Sequence, residues 1–207
     1  MSNTGSFVGP ISLADGTSGS ERQSRTAEML TGNVHGRFYE QTSRGKLFHC
    51  DFGVSATGIA INAIGTSAGV ALYNPVGTAV NLSLISVRLG MVSSTLILGA
   101  VMHGVNTNLS AAATTGTAGT TVPGLAGSGA TASGRPLYTA TLPASPTPTR
   151  VFLYKQPTIA TGSSFVLEDL LDGQIALAPG ATWSLYVIGA DTSPLWKVSV
   201  SWEEVPV

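Results

Sequence analysis

The sequence predicts an all-β fold, a jelly-roll-like β-sandwich with an extended N-terminal arm and a long Gly/Ala/Ser/Thr/Pro-rich insertion. Three observations predict it. Apolar and polar residues alternate at a period of two after Leu47, Pro- and Gly-containing turn signals separate the alternating runs, and helical periodicity with caps is nearly missing. The expected organisation is an arm over 1–46 and a sandwich domain over 47–207, with the low-complexity insertion at 104–149.

Taken in chain order, Ser20 to Leu30 is the one stretch that suits a short amphipathic helix, with Ser20 as its cap, and Gly16, Gly19 and Gly32 enclose it. Val70 to Tyr73 and Val80 to Leu89 flank Asn74-Pro75-Val76-Gly77, which reads as the turn of a hairpin. Within the second of these strands Val80, Leu82 and Leu84 alternate, then Ile85, Val87, Leu89 and Met91 take over. That one-residue slip fits either a β-bulge or a strand buried on both faces. Val105 to Thr149 has the composition of a segment that would be disordered in a free monomer. Gln174 to Leu177 and Thr182 to Ile188 flank Ala178-Pro179-Gly180 as a second hairpin. The clearest strand comes last, with Trp196, Val198, Val200 and Trp202 on one face and Lys197, Ser199, Ser201 and Glu203 on the other.

Composition narrows the function. The 207 residues hold 10 Lys+Arg and 11 Asp+Glu, so charged residues are 10% of the chain against about 25% in an average soluble domain. A compact monomer of 21.1 kDa exposes about 9,000 Å², or roughly 430 Å² per charge. With mean hydropathy at +0.28, such a surface is expected to be covered by further copies or by a larger assembly. A net charge of -1 argues against a polybasic nucleic-acid binder. Ala79 to Met102 is long enough to span a bilayer, but Asn81, Arg88 and its strand-like alternation argue against a membrane helix. The Met-Ser-Asn-Thr-Gly-Ser start lacks the pattern of a secretion signal, which leads us to expect cytoplasmic synthesis. The single Cys50 allows no intrachain disulfide.

Charge is also unevenly placed. Residues 1–51 carry five acids and five bases; 52–167 carry only Arg88, Arg135, Arg150 and Lys155; 168–207 carry six acids and Lys197. The basic middle and acidic tail are expected to meet, across subunits in an assembly.

Gly65-Thr66-Ser67-Ala68-Gly69 has the form of a nucleophile elbow, but Val70 to Tyr73 reads as strand where the motif requires a helix. His49-Cys50-Asp51 offers imidazole, thiol and carboxylate, with His35 upstream, yet neighbours in a strand face opposite ways, so Cys50 is expected to be buried and inert. His103 is expected at a strand edge, and Glu168, Asp169 and Asp172 in a solvated turn. No catalytic, cofactor-binding or metal site is predicted, and no cofactor.

Two segments carry a resemblance. His35-Gly36-Arg37-Phe38-Tyr39-Glu40 followed by Arg44-Gly45-Lys46-Leu47-Phe48 resembles a stretch of a family of tailed-bacteriophage virion structural proteins. Leu72-Tyr73-Asn74-Pro75, Val87-Arg88-Leu89-Gly90, Leu177-Ala178-Pro179-Gly180 and Ser201-Trp202-Glu203-Glu204-Val205-Pro206 follow in the same order. The resemblance implies a non-enzymatic component of the virion. With the composition it leads us to expect a capsid decoration or cement protein that bridges capsomers through its N-terminal arm. Its partners would be itself, as a homo-oligomer with a trimer the expected form, and the major capsid protein or another virion protein, without nucleic acid or membrane. Two rival readings are a tail or fibre adhesin binding host glycans, for which Tyr138, Tyr154 and Trp183 are too scattered in sequence to show a groove, and an envelope hydrolase using Ser67 or Cys50 beside an exposed histidine.

Overall fold

The computed structural model describes residues 36–52, 58–61, 63–93, 98–107, 114–154, 166–189 and 195–207. The chain divides into two units, 1–39 and 40–207. Most of the arm expected over 1–46, and the helix expected at Ser20 to Leu30, lie outside the described residues. The arm's described end contains one short helix, α1 (Tyr39–Ser43). It stops where Gly45, at φ +67°, lets Lys46 N–H reach the Gln41 carbonyl and Gly45 N–H reach that of Thr42. This is a Schellman ending, and it explains the Arg44-Gly45-Lys46 step as a helix stop that turns the chain into the first strand.

Among the described residues thirteen strands follow: β1 (Leu47–Phe52), β2 (Ile59–Ala60), β3 (Ser67–Tyr73), β4 (Val80–Ser93), β5 (Leu98–Asn106), β6 (Thr115–Ala118), β7 (Thr121–Pro123), β8 (Arg135–Thr141), β9 (Thr147–Tyr154), β10 (Val166–Leu170), β11 (Ala176–Leu177), β12 (Thr182–Gly189) and β13 (Leu195–Pro206). They form a first sheet in the order β10-β4-β13-β1-β7 and a second in the order β6-β8-β3-β12-β5-β9, with β11 and β2 on the flanks of β4 and β13. The expected sandwich is present. Set aside β2, β6, β7, β8 and β11, and number the remaining strands one to eight along the chain. The sheets then read 1-8-3-6 and 2-7-4-5, the strand order of a jelly roll.

The strand 195–206 alternates as its sequence requires, with Trp196, Val198, Val200 and Trp202 all buried and Lys197 exposed. It is the middle strand of the first sheet, paired to both β1 and β4. The slip in β4 is a bulge: Ser201 pairs with Ser86 and Trp202 with Leu84, so Ile85 is the extra residue and interior parity changes from Leu84 to Val87. Between the sheets, Phe48 stacks near Trp202 at 6.0 Å and Phe52 meets Tyr138 edge-on at 5.3 Å. A second, smaller apolar cluster that includes Ala71, Tyr73 and Tyr186 lies on the opposite face of the second sheet. That placement follows because Leu72 and Leu185, next to these residues in β3 and β12, face the main core.

Both expected turns are present, but neither closes a hairpin. β3 and β4 belong to different sheets, as do β11 and β12, so each turn arches over the sandwich edge instead. The reason lies in the strands. β3 and β4 each carry an apolar face, and crossing between sheets lets those faces bury one another. Asn74, fully buried, holds the two arches together: its side-chain amide donates to the Val80 and Leu177 carbonyls, its Oδ1 accepts from Thr78 Oγ1, and its backbone bonds Gly180 and Ala181.

The segment 104–149 departs most from its expected low-complexity character. Its described residues supply the end of β5, all of β6, β7 and β8 and the start of β9. β8 and β6 lengthen the second sheet beyond β3, and β7 lengthens the first beyond β1. Its glycines sit where backbone or core approaches closely. A Cβ at Gly116 would lie 2.7 Å from the Tyr138 carbonyl oxygen, and one at Gly119 would lie 2.9 Å from Cys50 Sγ. The small residues therefore encode contact rather than disorder.

Candidate functional site

The residues weighed from the sequence do not converge. Ser67 is exposed at the start of β3 with strand after it, so the elbow context is missing. Cys50 points into the core and is 1% exposed, and burial first, then Asp51, pushes its thiol up to about 12. It is a core residue held as the neutral thiol. His49 and Asp51, on either side, face outward. Among the candidate glycan-binding aromatics, Trp183 is fully buried, Tyr138 turns against Phe52, and the Tyr154 side chain lies outside the described residues.

Two expectations are corrected together. His103 is not at an edge: it lies on β5, between β12 and β9, with no exposed surface. Asp169 is not in a solvated turn: β10 carries it inward, 6% exposed, whereas Glu168 faces out. The two meet across the gap between the sheets, His103 Nε2 lying 3.0 Å from Asp169 Oδ2. Arg150 of β9 clamps the same carboxylate with Nε at 2.9 Å from Oδ2 and Nη2 at 2.9 Å from Oδ1, and its Nη1 donates to Gln174 at 2.6 Å. On the inner side the Trp183 indole N–H donates to His103 Nδ1 at 2.9 Å. The result is a continuous polar chain, Trp183–His103–Asp169–Arg150–Gln174, that closes one edge of the sandwich.

The protonation of this chain follows from its geometry. Nδ1 accepts from an indole that can only donate, so the proton of neutral His103 sits on Nε2 and points at Asp169. Burial holds the imidazole down to about 4, against the raising pull of Asp169. Both ring nitrogens are occupied, so the ring has no position from which to accept a substrate proton. The chain is a structural clasp. An open cleft of about 550 Å³ lies beside it, lined by Val105, Thr147, Thr149 and Ala176.

A second carboxylate escaped the sequence reading. Glu204 has the same parity as Trp202 and is buried, its Oε1 accepting from the Ser133 and Gly134 N–H groups at 2.7 and 2.9 Å. It fastens the β7–β8 connection to the first sheet. The signal was its position in the alternation.

The strand register defines a polar outer face of the first sheet. Asp51, Ser199, Arg88 and Glu168 stand in one row across β1, β13, β4 and β10, and His49, Ser201, Ser86 and Leu170 in the next. Arg88 pairs with Glu168 at 2.8 Å. His49 Nδ1 lies 2.8 Å from Ser201 Oγ, and burial lowers its pKa. This serine and histidine sit in mid-sheet, where the ladders on both sides of β13 take up the backbone N–H groups that an oxyanion would need. A shallow depression of about 370 Å³ opens between Asp51, Arg88, Gly90, Lys197 and Ser199.

Comparison with known protein families, curated proteins and solved structures returns no match. The resemblance to virion proteins therefore rests on the motifs quoted above. Of these, Asn74-Pro75 and Pro179-Gly180 form the tied arches, and Arg44-Gly45-Lys46 forms the helix stop.

Proposed function

We propose that the chain is a non-enzymatic structural component of a tailed-phage virion, a capsid decoration or cement protein that assembles with copies of itself and with another virion protein. The observation that carries this reading is a jelly roll built from a chain in which only 10% of residues are charged and whose exposed side chains include Val122, Val151, Val166 and Leu170. Such a surface gains stability when another protein covers it. The groups with chemical potential serve the fold: Cys50 is in the core, and His103, Asp169 and Glu204 join strands and loops. The order of the virion-like motifs supports the same reading. A cement protein acts mechanically, by burying surface across capsomer boundaries against the pressure of packaged DNA.

Purified particles provide the test. The chain is expected in stoichiometric amounts on the head in a map of the intact particle, and particles lacking it should lose DNA on osmotic shock at a lower threshold. Absence of the chain from purified virions overturns the proposal, and localisation to the tail overturns the decoration role.

A further inference from the structure

We propose that the outer face of the first sheet is the surface through which two copies of this chain pair across a two-fold axis. This rests on the homo-oligomeric part of the proposed function and adds the surface, the symmetry and the residues.

The face has the relief of a sheet-packing surface. Along its centre the small residues Ser86, Ser199, Ser201 and Gly90 flank the Arg88–Glu168 pair and leave a shallow depression that side chains of another sheet can enter. Around them stand apolar side chains left in water: Val166 is 72% exposed, Leu170 58% and Val92 40%. Val166 and Leu170 share the outward parity of Glu168 on β10, and Val92 is the extra residue of a bulge near the end of β4.

Charge selects the occupant. Arg88 and Glu168 already neutralise one another. Asp51 and Lys197 remain exposed without an ion-pair partner among the described residues. Asp51 is directly opposite Ser199, and Lys197 is two residues along the same strand, so the two residues are diagonal neighbours whose backbones lie about 7–8 Å apart. The two form no ion pair with each other in this structure, and one anion and one cation so placed are self-complementary. A two-fold axis passing between them sets each Lys197 against the other copy's Asp51, which makes two ion pairs from one patch. A polyanion would meet Asp51 and Glu168 as well as the two cations. A second copy satisfies every charge around the depression at once. Pairing of this symmetry gives an even copy number, a dimer in place of the trimer expected from the sequence.

Asp51→Lys and Lys197→Asp test the pairing, with mass read by light scattering and folding checked by tryptophan fluorescence. The unmodified chain is expected at twice 21.1 kDa. Each variant alone sets like charges together twice and should weaken association by about tenfold or more while remaining folded. Mixed in equal amounts the two variants should recover association, because the heterodimer restores both opposite-charge contacts. Variants that keep the parent mass would overturn this face as the interface and leave the oligomer standing. A parent chain that is monomeric at every concentration would overturn both. Dissociation without recovery on mixing would overturn the two-fold arrangement and assign the face to a partner of different chemistry.

Discussion

The two long edges of the sandwich are closed by opposite means. At the β9–β10 edge the sheets are joined by charge: a part-exposed Arg150 clamps the buried Asp169, which meets buried His103 in a chain that ends on Trp183. At the β6–β7 edge they are joined by proximity. Among the described residues that edge carries no charged side chain from Thr115 to Pro123, and Gly116 and Gly119 let the backbone come against Tyr138 and Cys50. A buried ion cluster gives geometry and exclusivity but is intolerant of losing a member. Glycine contact gives closeness and is intolerant of gaining an atom.

The largest separation between the two edges should come from Asp169→Ala, which leaves Arg150 and His103 facing a partly buried void. Denaturant unfolding is expected to register a loss of about 3–5 kcal/mol. An effect below about 1 kcal/mol would mean that the clasp is dispensable.

Acid should act on the clasp and leave the glycine edge alone. His103 is held neutral in the fold at about 4, whereas it titrates near 6.5 when unfolded. Its contribution is complete above pH 6.5 and is lost as pH falls from there toward 4, because the unfolded chain then binds the proton that the folded chain refuses. That loss amounts to about 3 kcal/mol at most. Protonation also sets an Nδ1–H against the Trp183 N–H, two donors face to face, so tryptophan emission should change over the same range. In His103→Gln the slope of stability against pH between 6.5 and 4 should flatten, and an unchanged slope would place the sensitivity elsewhere.

At the other edge Gly116→Ala is expected to cost about 1–3 kcal/mol, since the methyl group would press on a backbone carbonyl that cannot rotate away. It should leave the pH profile untouched. The smallest effect is expected on the outer face of the first sheet, where Ser199→Ala should move the stability of the folded monomer by less than about 0.5 kcal/mol. Measuring all four variants in one denaturation series ranks the two edges directly.

These edges also show what the sequence could disclose. The strand 195–206 and the bulge at Ile85 were legible because each is a local pattern of parity, and parity is set by which face a strand buries. The Asn74-Pro75 and Pro179-Gly180 turns were legible as turns but not as arches, because turn residues fix backbone angles and not which sheet receives the next strand. The strands within 104–149 were not legible because small residues look alike in a linker and in a tight contact. Only the partner, such as Cys50 beside Gly119, distinguishes the two. The clasp left one trace, the basic middle and acidic tail. Arg88 with Glu168 and Arg150 with Asp169 realise that attraction inside a single chain, where contact across subunits was expected. Which acid would meet which base was hidden, because β9 and β10 come together only in the folded sandwich.

The position of β13 bears on when this domain can form during synthesis. It lies between β1 and β4, pairing Leu47 with Glu203 on one side and Val80 with Pro206 on the other. Until residues 195–206 have left the ribosome, the first sheet has no middle, and the inward faces of Phe48, Phe52 and Leu89 have no Trp196 or Trp202 against which to close. Contacts between such distant parts of the chain form slowly. The nascent chain therefore carries the core faces of β1 and β4 uncovered by β13 until that strand is made, although β7 and β10 can already pair with them. Its scarcity of charge makes that interval the one in which it most needs protection from its neighbours on the polysome.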